Sequence, residues 1–224
     1  MVTVAVDGYA KTKYEMGCDV GAHIDSPGHF IAGGRLVDKV TPADLTARAA
    51  VIDVTKKVEA QEDGNYGLTI ADVEEWEAKY GKIEDRSLIV MKTGWDSRMG
   101  TPDYANQNPD DGKYYFPGYL PETAEWLNTN RDIVGLAIDS PSTDIGTSTN
   151  FEAHFTILSA DKYNLENLTL AEVPEGKGNV FVALPVNIKD APETPVRVMA
   201  IVGMSAGTYI LTACSALIAT MLAF

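Results

Sequence analysis

The chain is poor in cysteine: Cys18 and Cys214 are the only two in 224 residues. Two distant thiols supply neither a disulfide framework nor a zinc-type thiolate cage, and they are compatible with a reducing compartment. Positive charge is also scarce. Lys and Arg number 18 against 32 Asp and Glu, a formal charge of −14, so nucleic acid and anionic membrane surfaces are poor partners. No internal repeat and no low-complexity tract interrupts the chain. The opening run Met1 to Asp7 lacks a basic region followed by a long apolar stretch, so it does not read as a signal peptide.

Apolar residues make up 45% of the chain and charged ones 22%, ordinary values for a soluble domain with one core. Residues 2–6 and 15–25 read as strands, and Thr41 to Asp44 as a short helix start. Residues 50–54 read as a buried strand. Thr69 caps a helix carrying Ile70, Val73, Trp76 and Tyr80 at helical spacing, and Gly81 stops it. Strands follow at 87–93, 133–138, 180–186 and 196–202, with short helices from Pro121 and over 151–158. The segment from Trp95 to Pro117 is long, irregular and rich in turn formers, as binding loops are. The interleaving predicts a single α/β domain over residues 1–202, with a central mixed sheet and flanking helices.

From Val198 to Phe224 there is no charged residue. The apolar tail 203–224 reads as a membrane segment, a processed anchor signal or a buried C-terminal helix. Any membrane association therefore falls on the tail, and the domain ahead of it reads as cytoplasmic.

Histidine occurs three times, and two of the three lie in Asp19-Val20-Gly21-Ala22-His23-Ile24-Asp25-Ser26-Pro27-Gly28-His29-Phe30. On one extended strand Asp19, His23 and Asp25 share a face, with Val20 and Ile24 turned to the core. Pro27-Gly28 then turns the chain and brings His29 back over the same point. An imidazole and two carboxylates without thiolates suit Zn²⁺ or Mn²⁺. His154 and Glu166 lie far along the chain. By themselves they read either as further ligands or as a structural histidine and a solvated glutamate.

The run GAHIDSPGHF resembles the signature of the cyclase-type metal-dependent hydrolases, which include bacterial kynurenine formamidase and isatin hydrolase. Lys92-Thr93-Gly94-Trp95, Phe116-Pro117-Gly118, Ile138 to Asp144, His154, Leu165-Glu166-Asn167-Leu168 and Ala183-Leu184-Pro185 continue the resemblance in the same order. It implies a swivelling β/β/α fold, a dimer, and one or two divalent metal ions, Zn or Mn. It assigns Asp19, His23, Asp25, His154 and Glu166 as ligands and His29 as the proton-transfer residue. The implied chemistry is hydrolysis of a small aryl amide, either an N-formylkynurenine-type formamide or an isatin-type cyclic amide, by hydroxide generated at the metal. Trp95 and Phe116, with Tyr104, Tyr114 and Tyr115, are candidates either to stack on the aryl ring or simply to anchor the long loop. Two departures stand out. Asp19 occupies a position where the family has His, and the family has further residues ahead of its signature, so this N-terminus reads as shortened. Both leave open a metal-binding relative with impaired catalysis.

Overall fold

The computed structural model describes residues 2–202, together with the backbone of Ile210–Ala213 and Ile218–Thr220. In chain order the strands are β1 (His23–Asp25), β2 (Thr46–Asp53), β3 (Gly67–Leu68), β4 (Ser87–Lys92), β5 (Gly118–Tyr119), β6 (Ile133–Ile138), β7 (Tyr163–Glu166), β8 (Gly176–Pro185), β9 (Glu193–Val202), β10 (Ile210–Ala213) and β11 (Ile218–Thr220). The helices are α1 (Val4–Asp7), α2 (Thr55–Glu59), α3 (Ile70–Tyr80), α4 (Pro121–Asn130) and α5 (Glu152–Ser159).

The main sheet is mixed. β2, β4, β6 and β7 run parallel, and β8 and β9 complete it antiparallel. β1 pairs with β7 on one edge and with β9 on the other, so the order β1-β7-β6-β4-β2-β8-β9 returns to β1 and closes a barrel. β10 and β11 extend the sheet beyond β9.

Successive strand residues point to opposite faces, and here each face has its own core. Ala49, Val51, Leu88, Val90, Ala137 and Leu165 fill the barrel with Phe181, Val198 and Ala200. Their neighbours Ala50, Ile52, Ile89, Met91, Leu136 and Ile138 pack outward against Val73 and Trp76 of α3, Ala124 and Leu127 of α4 and Ile157 of α5. Two-sided burial explains why these strands read as continuous apolar runs. Each such Leu or Ile contributes about 1.5–3 kcal/mol of transfer free energy. A capping box fixes the start of α3: Thr69 Oγ1 accepts from Asp72 N at 3.2 Å and Asp72 Oδ2 accepts from Thr69 N at 2.8 Å. Trp76 ties the helix to the sheet through its Nε1–H on Val51 O at 2.8 Å.

Several local expectations are overturned. Residues 2–6 form no strand beyond a bridge from Val2 to Lys11, and α1 follows at Val4. Val4 and Val6 are 65% and 84% exposed, so alternation there has no surface to pack on. Of 15–25 only His23–Asp25 is strand, because Gly21 turns the chain at φ +69. Val20 is consequently 53% exposed, while Ile24 is fully buried as expected. Residues 42–44 form a turn stapled by Thr41 and Asp44, not a helix start.

No helix among the described residues is long and apolar enough to cross a membrane. The membrane, anchor and helix readings of 203–224 fall mostly outside the described residues. Where the backbone is described, at β10 and β11, it is strand.

Candidate metal centre

β1 is three residues long, and its two ladders place the site. Across β7, His23 stands opposite Glu166 and Asp25 opposite Asn164. Across β9, Asp25 stands opposite Glu193. The pleat turns His23, Asp25 and Glu166 to one side and sends Ile24 and Leu165 into the barrel core. His23 Nε2 lies 3.4 Å from Asp25 Oδ1 and 3.4 Å from Glu166 Oε2. Its Nδ1 lies 2.9 Å from Gly21 O, an acceptor only, so Nδ1 carries the hydrogen and Nε2 faces the cluster.

α5 brings the third side. His154 Nε2 lies 3.3 Å from Asp25 Oδ2 and 3.2 Å from Glu166 Oε1. Its Nδ1 sits 2.5 Å from Asp144 Oδ2. Glu166 accepts from Thr143 N at 2.6 Å and Thr143 Oγ1 at 3.0 Å, so it is buried and bonded, not solvated.

The electrostatics are those of a site built for a cation. Asp25 is 1% exposed, and neither of its carboxylate oxygens has a hydrogen-bond partner. A carboxylate without a hydrogen-bond donor is costly to bury, whereas a divalent cation among these oxygens and imidazoles would remove the cost. The donor set, two imidazoles and carboxylates without thiolate, fits Zn²⁺ or Mn²⁺. Two overlapping groups converge with all ligand atoms within 4.8 Å of one another: Asp25, His154 and Glu166, and His23, Asp25 and Glu193. Burial alone would lower both imidazole pKa values. The carboxylates outweigh it, raising His23 to about 9 and His154 well above its usual value. Burial and the Glu166 charge push Asp25 up. Burial opposes ionisation of Glu166 too, yet His154 and His23 hold it well below the usual range.

His29 lies on the 3-10 turn Pro27–His29, which is held by His29 N on Ser26 O at 2.9 Å. Its ring centroid is 6.2 Å from that of His154, and its Nδ1 is 3.0 Å from Glu193 Oε1. Phe30 packs against His29, His154, Phe151 and Phe155 at 4.6, 4.8, 5.6 and 5.0 Å, forming an aromatic wall. The cleft is about 530 Å³ and contains Asp19, His23, Asp25, His29, His154 and Glu166 in its lining. Five of the six expected residues thus converge around it. Asp19 is exposed on its wall and is not brought into either converging group. The kink at Gly21 separates it from the face that His23 and Asp25 share.

An apolar cavity of about 280 Å³ adjoins the cleft, sharing Pro141, Ser142 and Phe151 with it and adding Phe116, Tyr114 and Ile145. Phe116 therefore faces an apolar cavity beside the cleft. Trp95 does not. It is 1% exposed in the outer core, with its Nε1–H on Tyr104 O at 2.8 Å and Arg98 stacked 3.8 Å over the ring. Its neighbours make it an anchor of the long loop, the second of the two roles open to it, and leave it no face for ring stacking.

Sequence reasoning missed Asp144 and Glu193. Asp144 lies inside a motif that resembles the family's, but no local pattern reveals that its carboxylate orients His154. Glu193 reads as an ordinary charged residue, and only the β1–β9 register brings it to the site.

The Cyclase family model matches residues 2–145. An isatin hydrolase from Roseibium aggregatum is 32% identical over 190 residues, covering 81% of this chain and 71% of that protein. A kynurenine formamidase from Polaromonas naphthalenivorans is 38% identical over 177 residues, covering 79% of this chain and 68% of that one. A crystal structure of an isatin hydrolase bound to the product analogue thioisatinate superposes with a TM-score of 0.80 at 29% identity, covering 88% of this chain and 76% of its own. A closed mixed sheet, a converging imidazole and carboxylate cluster and a family match over most of the domain lead to one assignment: the chain belongs to the Cyclase family.

Proposed function

We propose that this chain is a metal-dependent hydrolase that cleaves the C–N bond of a small aryl amide, an N-formylkynurenine-type formamide or an isatin-type cyclic amide. The observation that carries the reading is Asp25, buried with both oxygens unpartnered between two imidazoles, beside a cavity lined by Phe116. His23, Asp25, His154 and Glu166 would hold a divalent cation, Zn or Mn, with one or two per subunit, while Asp19 stands on the cleft wall outside the two converging groups. When bound, the cation supplies a Lewis acid that polarises the amide carbonyl and brings the pKa of water toward neutrality.

The chain's own residues do the rest. Phe116, Tyr114 and Ile145 take the aryl ring, while the wall of Phe30, Phe151 and Phe155 limits water around His154. His29 accepts a proton from the attacking water and delivers it to the leaving nitrogen, first as base and then as acid. The family resemblance supports a swivelling β/β/α architecture, a homodimer and a cytoplasmic catalytic domain.

A second reading, a relative that binds metal without turnover, is favoured by one feature: Asp19 replaces the family's His and stays exposed. Metal analysis of the purified chain with assays of N-formylkynurenine and isatin separates the two. Stoichiometric Zn or Mn with turnover of either amide is expected. Stoichiometric metal with no turnover across an amide panel overturns the hydrolase reading.

A further inference from the structure

We propose that Glu193 is the positioning residue for His29, holding the ring by Nδ1 so that Nε2 is the atom that moves the proton. The inference rests on the reading of His29 as proton carrier and adds what makes that ring competent. Glu193 Oε1 lies 3.0 Å from His29 Nδ1, with the two side chains 12% and 28% exposed. An ionised carboxylate only accepts, so Nδ1 must donate, and the lone pair is left on Nε2. Among the described residues Nε2 of His29 has no hydrogen-bond partner, whereas both ring nitrogens of His154 are engaged.

The placement is unequal in a useful way. His29 sits on a short 3-10 turn outside the sheet. Glu193 begins β9 and pairs with Asp25 in the barrel wall. The carboxylate is therefore fixed relative to the metal centre and passes that fixity to the ring. Phe30, edge-on at 4.6 Å, restrains the other side. Cys18 Sγ, 3.6 Å from Glu193 Oε1, is a weaker second donor. A competing role exists, since Glu193 also lies near enough to His23 and Asp25 to be a metal ligand.

The test is a double-mutant cycle in the zinc-loaded protein with His29→Ala, Glu193→Ala, the double variant and Glu193→Gln. Glu193→Ala is expected to lower kcat about 10²-fold, the lower range for a lost acid–base catalyst, with KM nearly unchanged. Glu193→Gln restores part of the loss, because its amide oxygen still accepts from Nδ1. The double variant is expected to be no slower than His29→Ala alone. With only three histidines in the chain, ¹⁵N spectra of the rings resolve His29, and Glu193→Ala should shift it from a single Nδ1–H tautomer to a mixture. Loss of stoichiometric zinc in Glu193→Gln would make Glu193 a ligand and overturn the proposal. So would multiplicative losses in the double variant. Full kcat in His29→Ala would instead remove the proton-carrier reading itself, and the positioning role with it, while leaving the tautomer measurement to report whether Glu193 holds the ring.

Discussion

His154 Nδ1 and Asp144 Oδ2 lie 2.5 Å apart, and the same carboxylate receives the backbone N–H groups of Ala153 at 2.9 Å and His154 at 3.1 Å. One side chain thus caps α5 and sets the tautomer of an expected ligand on that helix. The residue at the N-cap, Phe151, supplies no side-chain cap. Asp144→Asn keeps an oxygen for the cap but loses the charge that fixes the ring. Metal affinity is expected to fall about 10–100-fold, as is usual when the partner of a ligating His is removed. Competition against a zinc chelator measures it, and an unchanged affinity would sink the orienting role.

Asp25→Asn should separate binding from stability. Burial and Glu166 raise the Asp25 pKa, so the folded state disfavours its ionised form. Its stabilising contribution is present below the unfolded pKa and is lost as pH rises through the folded one. In chelator at pH 7 the Asn variant, shaped like the protonated acid, is expected to melt no lower than the parent. Added zinc should raise the parent's Tm and leave the variant's unmoved. A zinc-induced rise of equal size in both proteins contradicts the ligand assignment.

A second carboxyl predicts the pH dependence of the fold away from the metal. Burial, then the Asp96 charge, raise the Asp139 pKa from 3.8 to about 7, despite hydrogen bonds from Thr93 and Gly94. A raised folded pKa means that this group's contribution is full below pH 3.8 and fades as pH climbs toward 7. Asp139→Asn is expected to cost about 1–3 kcal/mol, because its amide NH₂ meets backbone donors. The check is the slope: urea-unfolding stability should fall less steeply between pH 4 and pH 7 than in the parent.

Trp95 and Phe116 should part company under mutation. Trp95→Ala is expected to lose about 3–5 kcal/mol of stability, the usual cost of deleting a buried Trp, while KM for the aryl amide holds. Phe116→Ala should raise KM about threefold to tenfold, matching ~0.5–1.5 kcal/mol of aromatic contact. Reversed effects in denaturation and steady-state kinetics would return Trp95 to the substrate pocket.

The fold was readable where burial is two-sided. Val51, Ile89 and Leu136 lie in runs that are apolar at every position because barrel core and helices cover both faces. The reading failed where pattern lacks a packing surface, as at exposed Val4 and Val6, and where a strand is short or polar. β7 reads Tyr-Asn-Leu-Glu because Asn164 and Glu166 face the site side, so chemistry overwrites its strand signal. His23, Asp25 and His29 were legible because one turn of sequence holds them. Asp144 and Glu193 were not, since each becomes relevant only when a distant element docks, α5 for one and β9 for the other.

β1 carries a last consequence. Among the described residues its three residues are the only join between β7 and β9, so without it the barrel is an open, curled sheet. His23 and Asp25, two of the three, are also expected ligands. Capturing the ion would then brace the seam. Loss of the ion would leave Asp25 without a partner on the strand that closes the barrel, and so would loosen both ladders of β1. Slow exchange of the β1 amides and slow metal release become two views of the same clasp, tightening and loosening together.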